Sequence, residues 1–208
     1  MKVAELTRRK TRLCRTSRVL MEFIFVHKNE ATQKQQEMLK AIEEICFGVF
    51  PIEQMENSGE GHLFGAIEVG ALLLMDDERL VGNTYLYKRA TEYYGQEYFI
   101  GGLGGLAVMP EYRGRGYARQ LIEKTLELAY EIGVDVACLF TEREDSVHEL
   151  YEKMGFSFLS RRGYYIDSLQ QEAFRDDIMI MGLNNKKLAK KILLTDFKFH
   201  YGEDEGCW

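Results

Sequence analysis

Proline and tryptophan are nearly missing from this 208-residue chain, which holds two prolines and one tryptophan, the latter at the last position, Trp208. So little proline argues against a Pro-rich linker or spacer and leaves both examples, Pro51 and Pro110, as local punctuation. Cysteine is sparse too. Cys14, Cys46, Cys138 and Cys207 stand far apart with no metal-binding or redox spacing, so a disulfide framework is excluded and free thiols in a reducing cytoplasm are the expectation. Cys138 falls in an apolar run and reads as core rather than nucleophile. No apolar run approaches the roughly 20 residues that a spanning helix needs, so no membrane partner is expected. Repeats and low-complexity tracts are absent.

What is present suits one ordinary α/β domain: 46% of the residues are hydrophobic, enough for a buried core. Charge is unevenly placed. Residues 1–20 carry seven basic residues against the single acid Glu5, so the remaining chain has a formal charge of −12 instead of −6. An acidic body repels nucleic acid and favours cationic ligands. The basic segment 1–20 reads as an extension, disordered or not native. A targeting peptide, a nucleic-acid arm, or a stretch before a natural start at Met21 all fit it.

From Met21 the pattern is legible. Met21–Val26 reads as a first strand. Thr32 and Gln35 make a capping box for a helix to Cys46, with Met38, Leu39, Ile42 and Ile45 on one face and Gly48 as its stop. Ile67–Met75 and Leu80–Lys88 read as a hairpin, with a loop expected at Thr91–Gly95. Glu97–Val108 is a strand broken by Gly101, Gly102, Gly104 and Gly105, which suggests a bulge or a close ligand approach. A helix from Ala118 to Ile132 follows, with Gly133 as cap, then a buried strand Val134–Phe140. Ser146 and Glu149 suggest a second capping box. Short strands are expected at Phe156–Leu159, Gly163–Ile166, Asp177–Met181 and Ile192–Phe199.

The chain is organised around Leu103–Ala118, which reads as strand, tight turn and helix start. The first amides of a helix have no intrahelical partner and sit at the positive end of its dipole. Gly114 and Gly116 carry no side chains to keep a ligand away, while Arg113, Arg115 and Arg119 add full positive charge. The result is an anion cradle suited to a diphosphate. A P-loop would need a Lys-Ser/Thr ending, and a dinucleotide fold a different glycine placement; neither is here.

The spacing Val108-x-Pro110-x-x-Arg113-x-x-Gly116-x-Ala118 resembles the acetyl-coenzyme A motif of the GCN5-related N-acetyltransferases (GNAT). Leu150-Tyr151-Glu152-Lys153-Met154-Gly155-Phe156 resembles the "LYxxxGF" segment of the same family. The resemblance covers about residues 22–167. It implies a mixed, mostly antiparallel twisted sheet with a splayed central strand pair, helices on both faces, and acetyl-CoA as co-substrate. It also implies backbone contacts from Leu106 and Val108 to pantetheine, and a diphosphate held by Arg113, Gly114, Arg115, Gly116, Tyr117 and Ala118. Tyr151 takes the place of a tyrosine that protonates the leaving thiolate. Where many members carry an Asn this chain has Glu144, and where some carry a basic Glu it has glycine near Gly104. Glu142, Glu144 and Asp177 are left as candidate bases by location, and Phe47, Phe50 and Phe64 as candidate pocket aromatics. Homodimers are common in such enzymes.

The C-terminal Leu194-Thr195-Asp196-Phe197 with the acidic tail to Trp208 resembles the aminoglycoside 2′-N-acetyltransferases. Carried over by position, this implicates Glu205 and Trp208, and Asp177 as a weaker match, in binding a polycationic acceptor. The activity expected is acetyl transfer to a primary amine of a small cationic molecule. Acetylation of a protein N-terminus, a lysine or a polyamine, and a non-catalytic coenzyme A binder, are the alternatives.

Overall fold

The computed structural model describes residues 21–48, 67–143, 147–166 and 171–201. The strand β1 (Met21–His27) leads to α1 (Gln33–Phe47), which Thr32 and Gln35 cap reciprocally, and Gly48 ends it with φ +87°. Strands β2 (Ile67–Asp76) and β3 (Arg79–Tyr93) form a hairpin closed by Asp77 and Glu78. β3 then turns at Tyr94 and Gly95, both at positive φ, into β4 (Gln96–Val108). The loop expected at Thr91–Gly95 is therefore mostly strand. The two left-handed residues match the twist of a tight hairpin and let pairing run to its end.

α2 (Tyr117–Glu131) follows β4 and leads to β5 (Val136–Phe140). α3 (His148–Lys153) precedes β6 (Ser157–Phe158) and β7 (Gly163–Ile166). The Ser146 cap lies outside the described residues. Next come β8 (Glu172–Arg175), which the sequence reading did not anticipate, and β9 (Ile178–Gly182). The strand expected at Ile192–Phe199 is instead α4 (Lys186–Leu194), followed by the two-residue β10 (Phe199–His200). Asn185 caps α4 by accepting the Leu188 amide at 3.0 Å. Leu188, Ala189 and Ile192 form its buried stripe, so the neighbouring lysines are simply its outer face.

Seven strands pair in the order β1-β2-β3-β4-β5-β9-β6, and β10-β7-β8 form a smaller sheet. All pairs of the large sheet are antiparallel except β4 with β5. Helices cover both faces. A Cβ at Gly82 of β3 would lie 3.0 Å from Leu121 of α2, whereas the Tyr85 hydroxyl, on the opposite face of the same strand, reaches Glu43 of α1. Leu73 of β2 and Val81 of β3 are fully buried in one core cluster, and Val136 of β5 and Ile180 of β9 in another. Cys138 is fully buried as well, and desolvation pushes its thiol well above the ordinary range, in keeping with a core role.

Candidate active site

The parallel pair β4–β5 matches only at Ile100 with Val136, Gly101 with Ala137 and Gly102 with Cys138. Both strands run on beyond that point, β4 to Val108 and β5 to Phe140, without pairing. A wedge thus opens in the middle of the sheet. Its β4 wall is bent by a bulge: Gly105 and Leu106 together oppose Thr84 of β3. Gly105 has φ +56°, and a Cβ there would sit 2.7 Å from the Tyr85 ring, so only glycine fits. Thr84 Oγ1 donates to the Gly104 carbonyl and Asn83 Nδ2 to the Gly105 carbonyl, each at 3.1 Å, which holds the bulge in shape.

Beyond the bulge the Met109 amide donates to Val81 of β3 at 2.9 Å. Alternation along a strand then turns the backbone groups of Val108 and Leu106 the other way, toward the wedge. The Val108 carbonyl accepts from Arg113 Nε at 2.9 Å and Cys46 Sγ at 3.6 Å. Arg113 is therefore folded back onto β4, where it fixes the turn, rather than extended over the cradle.

Pro110–Tyr112 form one 3-10 turn, and Gly114 and Gly116 follow at φ +73° and +78°. Around both glycines, no atom lies within 4 Å of where a Cβ would be. Gly116 is the N-cap of α2 and has no side chain to satisfy the first-turn amides. The turn is anchored from behind. Tyr112 donates its hydroxyl to Asp76 at 2.7 Å, and Arg79 bonds Glu111. Arg115 donates to the Glu111 carbonyl at 3.0 Å and lies over the Tyr112 ring, while Arg119 pairs with Glu123 at 2.7 Å on the exposed face of α2. Tyr117 and Ala118 pack half-buried against the core that α1, β2 and β3 share. Bare amides and two glycines thus stand at the mouth of the wedge, while Arg113, Arg115 and Arg119 are each engaged within the turn or along α2.

Tyr151 lies on α3 and is buried, in one cluster with Leu103 of β4, Ala137 and Leu139 of β5, and Ile122 of α2. The side chain expected to handle a proton therefore sits where the two strands part. Its ring meets Phe156 edge-on at 6.0 Å. Asp177 lies just before β9 and is held by both nitrogens of Arg175, at 2.8 and 2.6 Å. Burial pushes the Asp177 carboxyl up, but the Arg175 guanidinium outweighs this and holds it below the usual carboxylate range. Glu142, Arg143, Tyr165, Arg175 and Asp177 line a polar cavity of about 490 Å³ beyond the end of β5. The Tyr201 ring lies 5.4 Å from both Phe140 and Tyr165, so the chain reaches residue 201 beside that cavity. Phe47 is exposed, and His148 stacks on Phe158. Glu144, Phe50, Phe64, Glu205 and Trp208 lie outside the described residues. Among the described residues there is no cluster that could hold a metal ion, and no helix is long and apolar enough to cross a membrane.

Sequence reasoning missed one polar pair beside the bulge. Tyr85 of β3 donates its hydroxyl to Glu43 of α1 at 2.5 Å. The two residues are 42 positions apart, and only the alternation that puts Tyr85 across from the glycines of β4 hinted at the contact.

A wedge in a mixed sheet beside an uncapped, glycine-rich helix start suits an acyltransferase that takes its acyl group from acyl-coenzyme A. The model of the acetyltransferase (GNAT) domain matches residues 29–159, and the chain belongs to that family. No curated protein matches the sequence. Among solved structures, the chain is similar to a GNAT family N-acetyltransferase (YhbS) from Escherichia coli in complex with CoA, at 17% identity and a TM-score of 0.55 over 93% of each chain. It is also similar to a structure of the NatC complex bound to Gag peptide and CoA, at 21% identity and a TM-score of 0.51 over 77% of this chain and 98% of that one. A GCN5-related N-acetyltransferase from Kribbella flavida matches at 18% identity and a TM-score of 0.51 over 70% of this chain. This chain spans only 34% of that protein's length. These likenesses establish the fold.

Proposed function

We propose that residues 21–208 act as one acetyl-CoA-dependent N-acetyltransferase domain, in the cytoplasm, on a primary amine of a small cationic molecule, by direct attack in a ternary complex. The observation that carries this reading is the end of β4–β5 pairing at Gly102 and Cys138, with β4 running on to an uncapped helix start that has open space around Gly114 and Gly116. Those residues fit acetyl-CoA, which supplies an activated acetyl group as a thioester. The backbone of Gly114–Ala118 holds the diphosphate, with Arg115 adding charge and Arg113 bracing the turn. The Leu106 and Val108 amides steer the pantetheine along β4. The Tyr151 hydroxyl holds the proton that the departing sulfur takes up. Fixing both reactants in the wedge supplies much of the rate.

An aminoglycoside is the acceptor proposed, on the strength of the C-terminal resemblance and the −12 charge of residues 21–208. Glu205, Trp208 and Asp177 are the residues assigned to it. Tyr201, the last described residue, packs against Tyr165, which lines the same cavity as Asp177. Arg175 already offsets Asp177, so this residue attracts a cation less than a bare carboxylate would. Thiol release from acetyl-CoA over a panel of kanamycin, spermidine and peptides with a free N-terminus or lysine tests the reading. Turnover with kanamycin supports it. Turnover with peptide alone favours a protein acceptor, and binding without turnover favours a coenzyme A binder that does no chemistry.

A further inference from the structure

The face of β4 that looks toward α1 is unusual. Tyr85 stands directly opposite Gly104, and Tyr87 directly opposite Gly102. Directly opposed residues share a face, so each tyrosine faces a position with no side chain. The Tyr85 and Tyr87 rings, with centroids 6.2 Å apart, therefore lie beside a strip of bare β4 backbone, and the Tyr85 ring leans over Gly105. Gly102 still pairs with β5, so only the bulged end of this strip, at Gly104, borders the wedge.

Polar groups gather at its bulged end. Half-buried Glu43 accepts the Tyr85 hydroxyl at 2.5 Å. Asn83 is fully buried on the same face. Its Nδ2 is used by Gly105, and its Oδ1 has no hydrogen-bond partner among the described residues. A buried acceptor left unsatisfied costs about 1–3 kcal/mol, so this oxygen favours a donor that arrives from outside the chain. Electron-rich rings, a carboxylate and an open acceptor together suit an ammonium group.

We propose that Tyr85, backed by Glu43, docks the acceptor amine at the bulged end of β4 and takes its proton. The proposal rests on the acetyltransferase reading and adds the proton acceptor that the glycine at 104 does not provide. The ammonium nitrogen gives one proton to the Tyr85 oxygen while the Tyr85 hydroxyl proton passes to Glu43, and Glu43 returns it to water. As the N–C bond forms and the C–S bond breaks, the nitrogen gives its second proton to water, and the sulfur takes one from Tyr151, which regains it from water.

Two measurements test this. In the first, tyrosine 13Cζ resonances are followed while n-butylamine is titrated into the protein without acetyl-CoA. The resonance missing in Tyr85→Phe shifts saturably if the amine docks there; an unmoved Tyr85 resonance overturns the proposal. In the second, Tyr85→Phe and Glu43→Gln are assayed with the fastest amine of the panel. Glu43→Gln keeps an acceptor for the Tyr85 hydroxyl and so keeps the α1–β3 contact. Each variant lowers kcat at least 100-fold, with KM for acetyl-CoA within twofold of the parent. An unchanged kcat overturns the proton role. If no amine is turned over, the acetyltransferase reading fails, while the titration still decides the docking site.

Discussion

β4 and β5 lie side by side, pair over three residues, and are built to opposite rules. β5 is Val-Ala-Cys-Leu-Phe, continuous, and buried from Val136 to Leu139. Packing dictates every position of it, as expected for a strand covered on both faces. β4 carries four glycines and a bulge at Gly105, beside which Tyr85 of β3 bonds Glu43. Its neighbour β3 supplies hydrogen bonds from Asn83 and Thr84 that keep the irregular backbone in one shape. One wall of the wedge therefore provides stability, and the other is the ligand surface of the proposed function. The protein separates the two tasks onto adjacent strands.

That separation can be broken from either side. Leu139→Ala should cost about 3 kcal/mol of stability in denaturant titrations, because its 1% exposure leaves a cavity behind, while the folded fraction still binds acetyl-CoA. Gly116→Asp should do the reverse. It places a carboxylate where a diphosphate is expected and weakens acetyl-CoA at least 100-fold by calorimetry, about 2.7 kcal/mol, while the left-handed backbone at residue 116 limits the loss of stability to about 1–2 kcal/mol. If Leu139→Ala abolished binding in the folded protein, or Gly116→Asp unfolded it, the two walls would not be independent. Tyr151→Phe sharpens the comparison at the point where the strands part: kcat should fall about 30-fold with KM for the amine little changed. Removing Cys207 and Trp208 should have the smallest effect, raising KM for kanamycin about fivefold and leaving KM for acetyl-CoA alone.

The same contrast governs what could be read beforehand. The Thr32–Gln35 cap, the β5 strand and the start of α2 follow from local patterns, and they stand where those patterns put them. The glycines of β4 likewise announced the bulge. α4 was misread because Ile192–Phe199 is rich in strand-forming residues, while the helix draws its stability from the Asn185 cap and from packing of Leu188 and Ile192 against β9. β8 was missed because Glu172–Arg175 is short and only half-buried, so its pairing with β7 leaves little imprint. The contact of Glu43 with Tyr85 joins a helix to a strand across 42 positions, and Glu43 alone looks like any solvated helix acid. The wedge has no local signature either: it arises where two strands stop pairing, and stopping is a property of the sheet.

The most direct test is a crystal structure with coenzyme A bound. The diphosphate should accept hydrogen bonds from the amides between Gly114 and Ala118, with pantetheine between β4 and β5. A diphosphate bound away from that turn, or a wedge that coenzyme A does not enter, would contradict the account.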